Sequence, residues 1–183
     1  MVNQITLDSK IAKYKSVLEN TIQYRKDWND TVKPMLLETL EKYNKMLELP
    51  RAEVAARETI ENLESVVLDL GKSSSGISEN DELSGVKRTM IKSNGTLIYQ
   101  QLFNGKIMVM LLSPNIEGYG QPKPPVTLEI LRPDELKKAF ITRHFEAFLK
   151  DITDWEDFDD DEPQKAIGFT PIGFHTEEKV ISL

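Results

Sequence analysis

The chain has 183 residues, a formal net charge of −7, 39% hydrophobic and 29% charged residues, and no cysteine. That length suits one domain or two small subdomains, and the composition is too apolar for wholesale disorder. The negative charge argues against a nucleic-acid backbone or an anionic membrane as main partner, and the lack of cysteine excludes disulfides, thiolate catalysis and zinc–thiolate sites.

The opening MVNQITLDSKIAKYK has neither the apolar segment nor the cleavage site of a secretory leader, and no run approaches the length of a membrane span. A cytoplasmic protein without a membrane partner is expected. Ile11, Tyr14, Leu18, Thr21 and Ile22 recur at helical spacing after a cap at Asp8 or Ser9. The stripe resumes at Val32, Leu36, Leu40, Tyr43 and Leu47, beyond the capping residues Asn29, Asp30 and Thr31 and beside Pro34. Two helices are expected, about 8–28 and 32–48, the alternative being one helix kinked at Pro34. Arg25 and Thr39 interrupt the seam, which argues for a bundle over a long coiled coil.

Between Pro50 and Gly71, the residues Ala52, Ala56, Ile60, Leu63, Val67 and Leu70 fall on one helical face. This predicts a third helix, with a strand over Ser65–Leu70 as the competing reading. Residues 1–71 thus read as a helical region. KSSSGISENDELSG (72–85) reads as a polar linker, and 86–183 as an antiparallel sheet plus helix.

The clearest local signal is TLIYQQLFNGKIMVMLL (96–112), two β-prone runs joined by Asn104-Gly105. A two-residue turn pairs Phe103 with Lys106, placing Tyr99 opposite Met110 and Gln101 opposite Met108. Asn94-Gly95 is expected to fold 86–92 back against the first strand, putting Ile91 beside Ile98 and Met90 beside Tyr99. VTLEILR (126–132) reads as a fourth strand. From Pro133, an apolar stripe through Leu136, Phe140, Ile141, His144, Phe145, Phe148 and Leu149 predicts a helix on the sheet. An acidic loop (151–162) and an edge strand over 165–174 complete the expectation. The fold class is α+β: a three-helix N-terminal region, then a four- to five-stranded, mostly antiparallel sheet packed with one C-terminal helix.

No catalytic motif is present: no H-E-x-x-H, phosphate loop or nucleophile elbow, and His144 and His175 are far apart. No catalytic, metal or cofactor residue is assigned and no cofactor is expected. Two sites remain. A ligand pocket could form on one sheet face from Tyr99, Gln101, Met108 and Met110 with His144; ordinary core is the competing account. The segment Trp155, Glu156, Asp157, Phe158 and Asp159 sets aromatic rings among carboxylates, as a docking site for a basic partner would; a solvated loop is the competing account. The expected function is therefore a non-enzymatic interaction or regulatory protein. It would associate through its apolar helices, sheet or acidic aromatic segment, with a protein partner that could be a second copy of itself. The alternative is a small-molecule binding protein or an enzyme of unrecognised type.

Overall fold

The computed structural model describes residues 2–80 and 87–157, and the side chains from residue 6 onward. Its architecture is α+β. In order, it comprises α1 (Val2–Asp27), a π-helical turn (Trp28–Val32), α2 (Lys33–Leu47), β1 (Glu53–Arg57), β2 (Ser65–Asp69), β3 (Lys72–Asn80), β4 (Lys87–Ser93), β5 (Thr96–Gln101), β6 (Ile107–Leu112), β7 (Asn115–Ile116), β8 (Val126–Leu131) and α3 (Lys138–Glu156).

The two expected N-terminal helices are one. Asp27, Val32 and Lys33 all keep right-handed helical backbone, so Asn29–Thr31 cap nothing. Pro34 explains the wide turn. A proline lacks the N–H and its ring crowds the carbonyl four residues back. Here the Lys33 N–H already reaches five residues back, to the Trp28 carbonyl. A π turn of this kind absorbs the proline without breaking the helix. The long helix ends at Glu48, in the left-handed region at φ 53°.

The expected third helix is replaced by the hairpin β1–β2, with Val54 opposite Leu68 and Ala56 opposite Val66. Val66, Val67 and Leu68 are all buried, whereas Ile60 and Leu63 are exposed. A strand buried on both faces loses its alternation, and spacing alone then cannot separate it from a helix.

Among the described residues, eight strands form two sheets rather than one. A five-stranded antiparallel sheet has the order β1-β2-β5-β6-β8, and a smaller sheet the order β3-β4-β7. The first part of the expected linker is β3. Strand β2 runs on into β3, and β4 into β5, as one long hairpin arm. Asp69 faces Thr96 in the large sheet and Lys72 faces Ser93 in the small one. Between them the Leu70 N–H donates to the Gly95 carbonyl (3.1 Å) and the Asn94 N–H to that of Gly71 (3.0 Å). Gly71 has φ +73°, and a Cβ there would lie 2.4 Å from the Arg51 carbonyl oxygen. The serines that suggested a linker hydrogen-bond within the arm: Ser73 Oγ to Asn94 Oδ1 and Ser75 Oγ to the Met90 carbonyl, both 2.8 Å. Asn94-Gly95 is thus a crossing between sheets, not a hairpin turn. Ile91 and Met90 do not lie beside Ile98 and Tyr99. The rest of the expected linker (81–85) and the expected edge strand (165–174) fall outside the described residues.

The β5–β6 hairpin exists, with its register one residue away from expectation. Leu102 N–H donates to Lys106 O, and Gly105 N–H to Leu102 O, both at 2.8 Å. The loop is therefore the three residues Phe103–Gly105, with Gly105 at φ +76°. This is the other common hairpin geometry, whose third residue is left-handed. Tyr99 now faces Val109, and Met108 faces Gln100.

Both helical layers cover one face of the large sheet. Trp28, Val32, Leu36 and Leu40 join Ile141, Phe145 and Phe148 over Val66, Leu68, Leu97, Tyr99, Ile107, Val109 and Leu111. Tyr43 stacks on Phe145, centroids 4.6 Å apart. The N-terminal half of the long helix takes no part in this core: residues 6–20 are all exposed. Further along, α1 meets the body at the β5–β6 turn. Arg25 Nη2 donates to the Phe103 carbonyl (2.8 Å), and a Cβ on Gly105 would lie 2.6 Å from Tyr24 Cβ.

Candidate functional site

The expected pocket residues divide between the two sheet faces. Side chains alternate along a strand, so a one-residue slip moves a whole set to the other side. Tyr99 and Gln101 point at the helices and are buried. Met108 and Met110 alternate with the buried Ile107, Val109 and Leu111, and so lie on the opposite face, half-buried.

Tyr99 and His144 do meet. The Tyr99 hydroxyl lies 3.1 Å from His144 Nδ1, and His144 Nε2 lies 2.6 Å from Glu129 Oε1 on β8. Arg143 binds the same carboxylate and sits over the Phe140 ring. Burial lowers the His144 pKa against the pull of Glu129. Burial raises the Tyr99 phenol, aided by Tyr43 and Glu129. Burial also works to raise Glu129, but hydrogen bonds from His144 and Arg143 outweigh it and the carboxyl is held below its usual range. One proton arrangement satisfies all three: Tyr99 O–H donates to Nδ1, and Nε2–H donates to an ionised Glu129. Tyr99 is 0% exposed and His144 2%. The chain of groups is a satisfied polar link between sheet and α3, with no opening for a substrate at the phenol.

Gln101 is 1% exposed, and neither its Oε1 nor its Nε2 has a hydrogen-bond partner. Its neighbour Gln100 is satisfied, donating to the carbonyls of Leu63 (2.8 Å), Glu64 (3.2 Å) and Gln101 (2.9 Å). Nearby, Glu64 accepts from Trp28 Nε1 (3.1 Å) and Lys33 Nζ (2.8 Å). Burial works to raise Glu64, but these donors prevail and hold the carboxyl low.

Trp155 and Glu156 belong to the last turn of α3 rather than to a loop. Lys92 binds Glu156 at 2.6 Å and lies 5.7 Å from the Trp155 ring centroid. The Asp157 N–H closes the helix on the Thr153 carbonyl (2.8 Å). The first half of the expected docking segment is thus engaged with β4 of its own chain. Phe158 and Asp159 lie outside the described residues.

Among the described residues, the apolar stripe expected to be covered within a bundle or by a partner is left largely exposed over the first part of α1. On α1, Leu7, Ile11, Tyr14 and Leu18 are 56%, 44%, 64% and 48% exposed. Their 4-3-4 spacing is that of a helix–helix seam. Among the described residues no group of three or more metal-ligating side chains occurs, and no helix is long and apolar enough to cross a membrane. Comparison with protein-family models, curated proteins and solved structures found no match.

Proposed function

We propose that this chain is an interaction protein whose docking element is α1, carried on a rigid α+β body. The observation behind this reading is the bare seam Leu7–Ile11–Tyr14–Leu18. Four large apolar side chains in line, on a stretch of helix whose described side chains are exposed from residue 6 to residue 20, make a face that gains by association. Isolated helices of this length are marginal in water, so a partner would also stabilise the helix itself. The buried Tyr99–His144–Glu129 link favours a scaffold role for that region over catalysis. The test is in-cell cross-linking of the full chain against an Ile11→Glu/Leu18→Glu variant. The expected result is adducts in the parent and none in the variant, with the same melting temperature for both bodies. Adducts unchanged by the substitutions would sink the proposal.

A second reading, small-molecule binding, is favoured by one cleft of about 380 Å³ where the arm leaves the large sheet. Its floor includes Leu70 and Ile152, and its rim Arg51, Lys92 and Glu156. A ligand there would raise the melting temperature of the parent and not of a variant with a blocked floor, such as Ile152→Trp.

A further inference from the structure

We infer that the partner of α1 is α1 of a second copy of this chain, lying antiparallel to it. This rests on the docking reading just given and names its occupant. Three observations carry it.

The first is the length of the bare seam. The stripe continues past Leu18 to Thr21 and Arg25, but there the chain's own β5–β6 turn occupies it: Gly105 sits against the Thr21 carbonyl and Tyr24, and Arg25 binds the Phe103 carbonyl. The uncovered part therefore runs from Leu7 to Leu18. An antiparallel copy laid on it pairs Leu7 with the partner's Leu18 and Ile11 with the partner's Tyr14, each twice by symmetry. Every bare seam residue is then covered, and each copy's first turn arrives where the other's turn begins.

The second is charge. With Ile11 and Leu18 at seam positions a and Leu7 and Tyr14 at d, the flanking e positions are Asp8 and Lys15, and the g positions Lys10 and Val17. In a parallel pair, g flanks e of the other helix, which sets Lys10 against the partner's Lys15, a like-charge clash made twice. In an antiparallel pair e flanks e and g flanks g. Asp8 then meets the partner's Lys15, and the Lys10 stem lies along the partner's Val17.

The third is symmetry. An isologous two-fold contact closes on itself, so a sequence whose seam is complementary to its own reverse forms a dimer and stops.

The chain's lack of cysteine makes the geometry directly readable. Leu7→Cys and Leu18→Cys proteins are prepared singly and oxidised alone and mixed, beside sedimentation of the parent up to ~100 µM, a range that registers micromolar association. The antiparallel dimer predicts twice the monomer mass for the parent, no disulfide in either variant alone, and a disulfide dimer on mixing. It also predicts that Asp8→Lys and Lys15→Asp each weaken the dimer and that the double substitution restores it. A parent that stays monomeric, or disulfides formed by each variant alone, overturns the inference. If the parent is monomeric while its in-cell adducts still depend on Ile11 and Leu18, the docking reading stands and only the identity of the partner is wrong. If those adducts are absent as well, both fall.

Discussion

The Tyr99 hydroxyl and His144 Nδ1 lie 3.1 Å apart in a layer closed to solvent, joining the middle of β5 to the middle of α3. The bond sets the tautomer of the histidine and thereby directs Nε2–H at Glu129. Removing the hydroxyl leaves a buried acceptor unpaired, which costs about 1–2 kcal/mol. Tyr99→Phe is expected to lower the unfolding free energy measured in urea by that amount without altering the far-ultraviolet circular dichroism.

The same link makes the protein sensitive to acid. Burial holds the folded pKa of His144 below the ordinary histidine value of about 6.5. As pH falls through that value the unfolded chain takes up a proton that the folded chain refuses, so stability declines. Glu129 and Glu64 have folded pKa values below 4.5, and their contribution is present above that value and lost as pH falls through the folded ones. A two-part decline is expected: a first ramp beginning near pH 6.5 and a second beginning near 4.5. Denaturant midpoints measured against pH should show both; His144→Gln should remove the first and shrink the Glu129 share of the second, leaving that of Glu64.

Gln101 is a buried amide with no partner on either atom. Replacing it with an apolar residue of similar length removes a desolvation cost of about 1–3 kcal/mol. Gln101→Met is expected to raise the denaturant midpoint. A fall instead would mean that the amide is satisfied by a bound water or ligand that the substitution displaces.

The long helix should respond oppositely along its length. Leu36 is 0% exposed and part of the core, and Leu36→Ala is expected to cost about 2–5 kcal/mol. Leu18 is 48% exposed, and at concentrations too low for association Leu18→Ala should stay within about 0.5 kcal/mol of the parent. Thermal unfolding of the two variants side by side measures the difference.

Glycine geometry offers a fifth check. Gly71 combines φ +73° with a Cβ position 2.4 Å from backbone, so its surroundings cannot yield as a flexible side chain would. Gly71→Ala is expected to cost more than the roughly 1 kcal/mol of an ordinary glycine replacement. The loss should be registered at the root of the β3–β4 arm, as faster hydrogen exchange at Leu70 and Asn94.

The α+β class, the long helical stretch, the β5–β6 hairpin and α3 were legible because each has a strong period. Three features were not. The hairpin register turned on whether Asn104-Gly105 closes a two- or a three-residue loop, and that single residue decided whether Tyr99 shares a face with Met108 and Met110. Val66–Leu68 lacked alternation because both its faces are buried, so helical spacing could be read through it. KSSSGISEN looked like a linker because serine is rare in cores, but in a polar two-stranded arm its hydroxyls join the ladder. At the candidate sites, Tyr99 and His144 were grouped with Met108 and Met110 as a pocket, whereas in the structure they meet on the helix side and the methionines lie on the other face. What was missed was that α1 carries its stripe beyond the body. Spacing shows a stripe but not what covers it; the signal available was the Arg25 interruption, which marks where the body's own contacts take over.

The π turn at Trp28–Val32 also works as a phasing joint. Each residue added to or removed from a helix rotates everything on one side of it by about 100° about the axis. Because the turn sits between the seam of α1 and the core stripe of α2, its extra width sets the compass bearing at which the body presents Leu7–Leu18. Losing one residue at Asn29 or Asp30, both exposed, would re-aim that face while Leu36 and Leu40 stayed in place. The same ~100° rotation would turn Trp28 out of the core and part Arg25 from the Phe103 carbonyl, so the bearing of α1 is locked to the packing of the body.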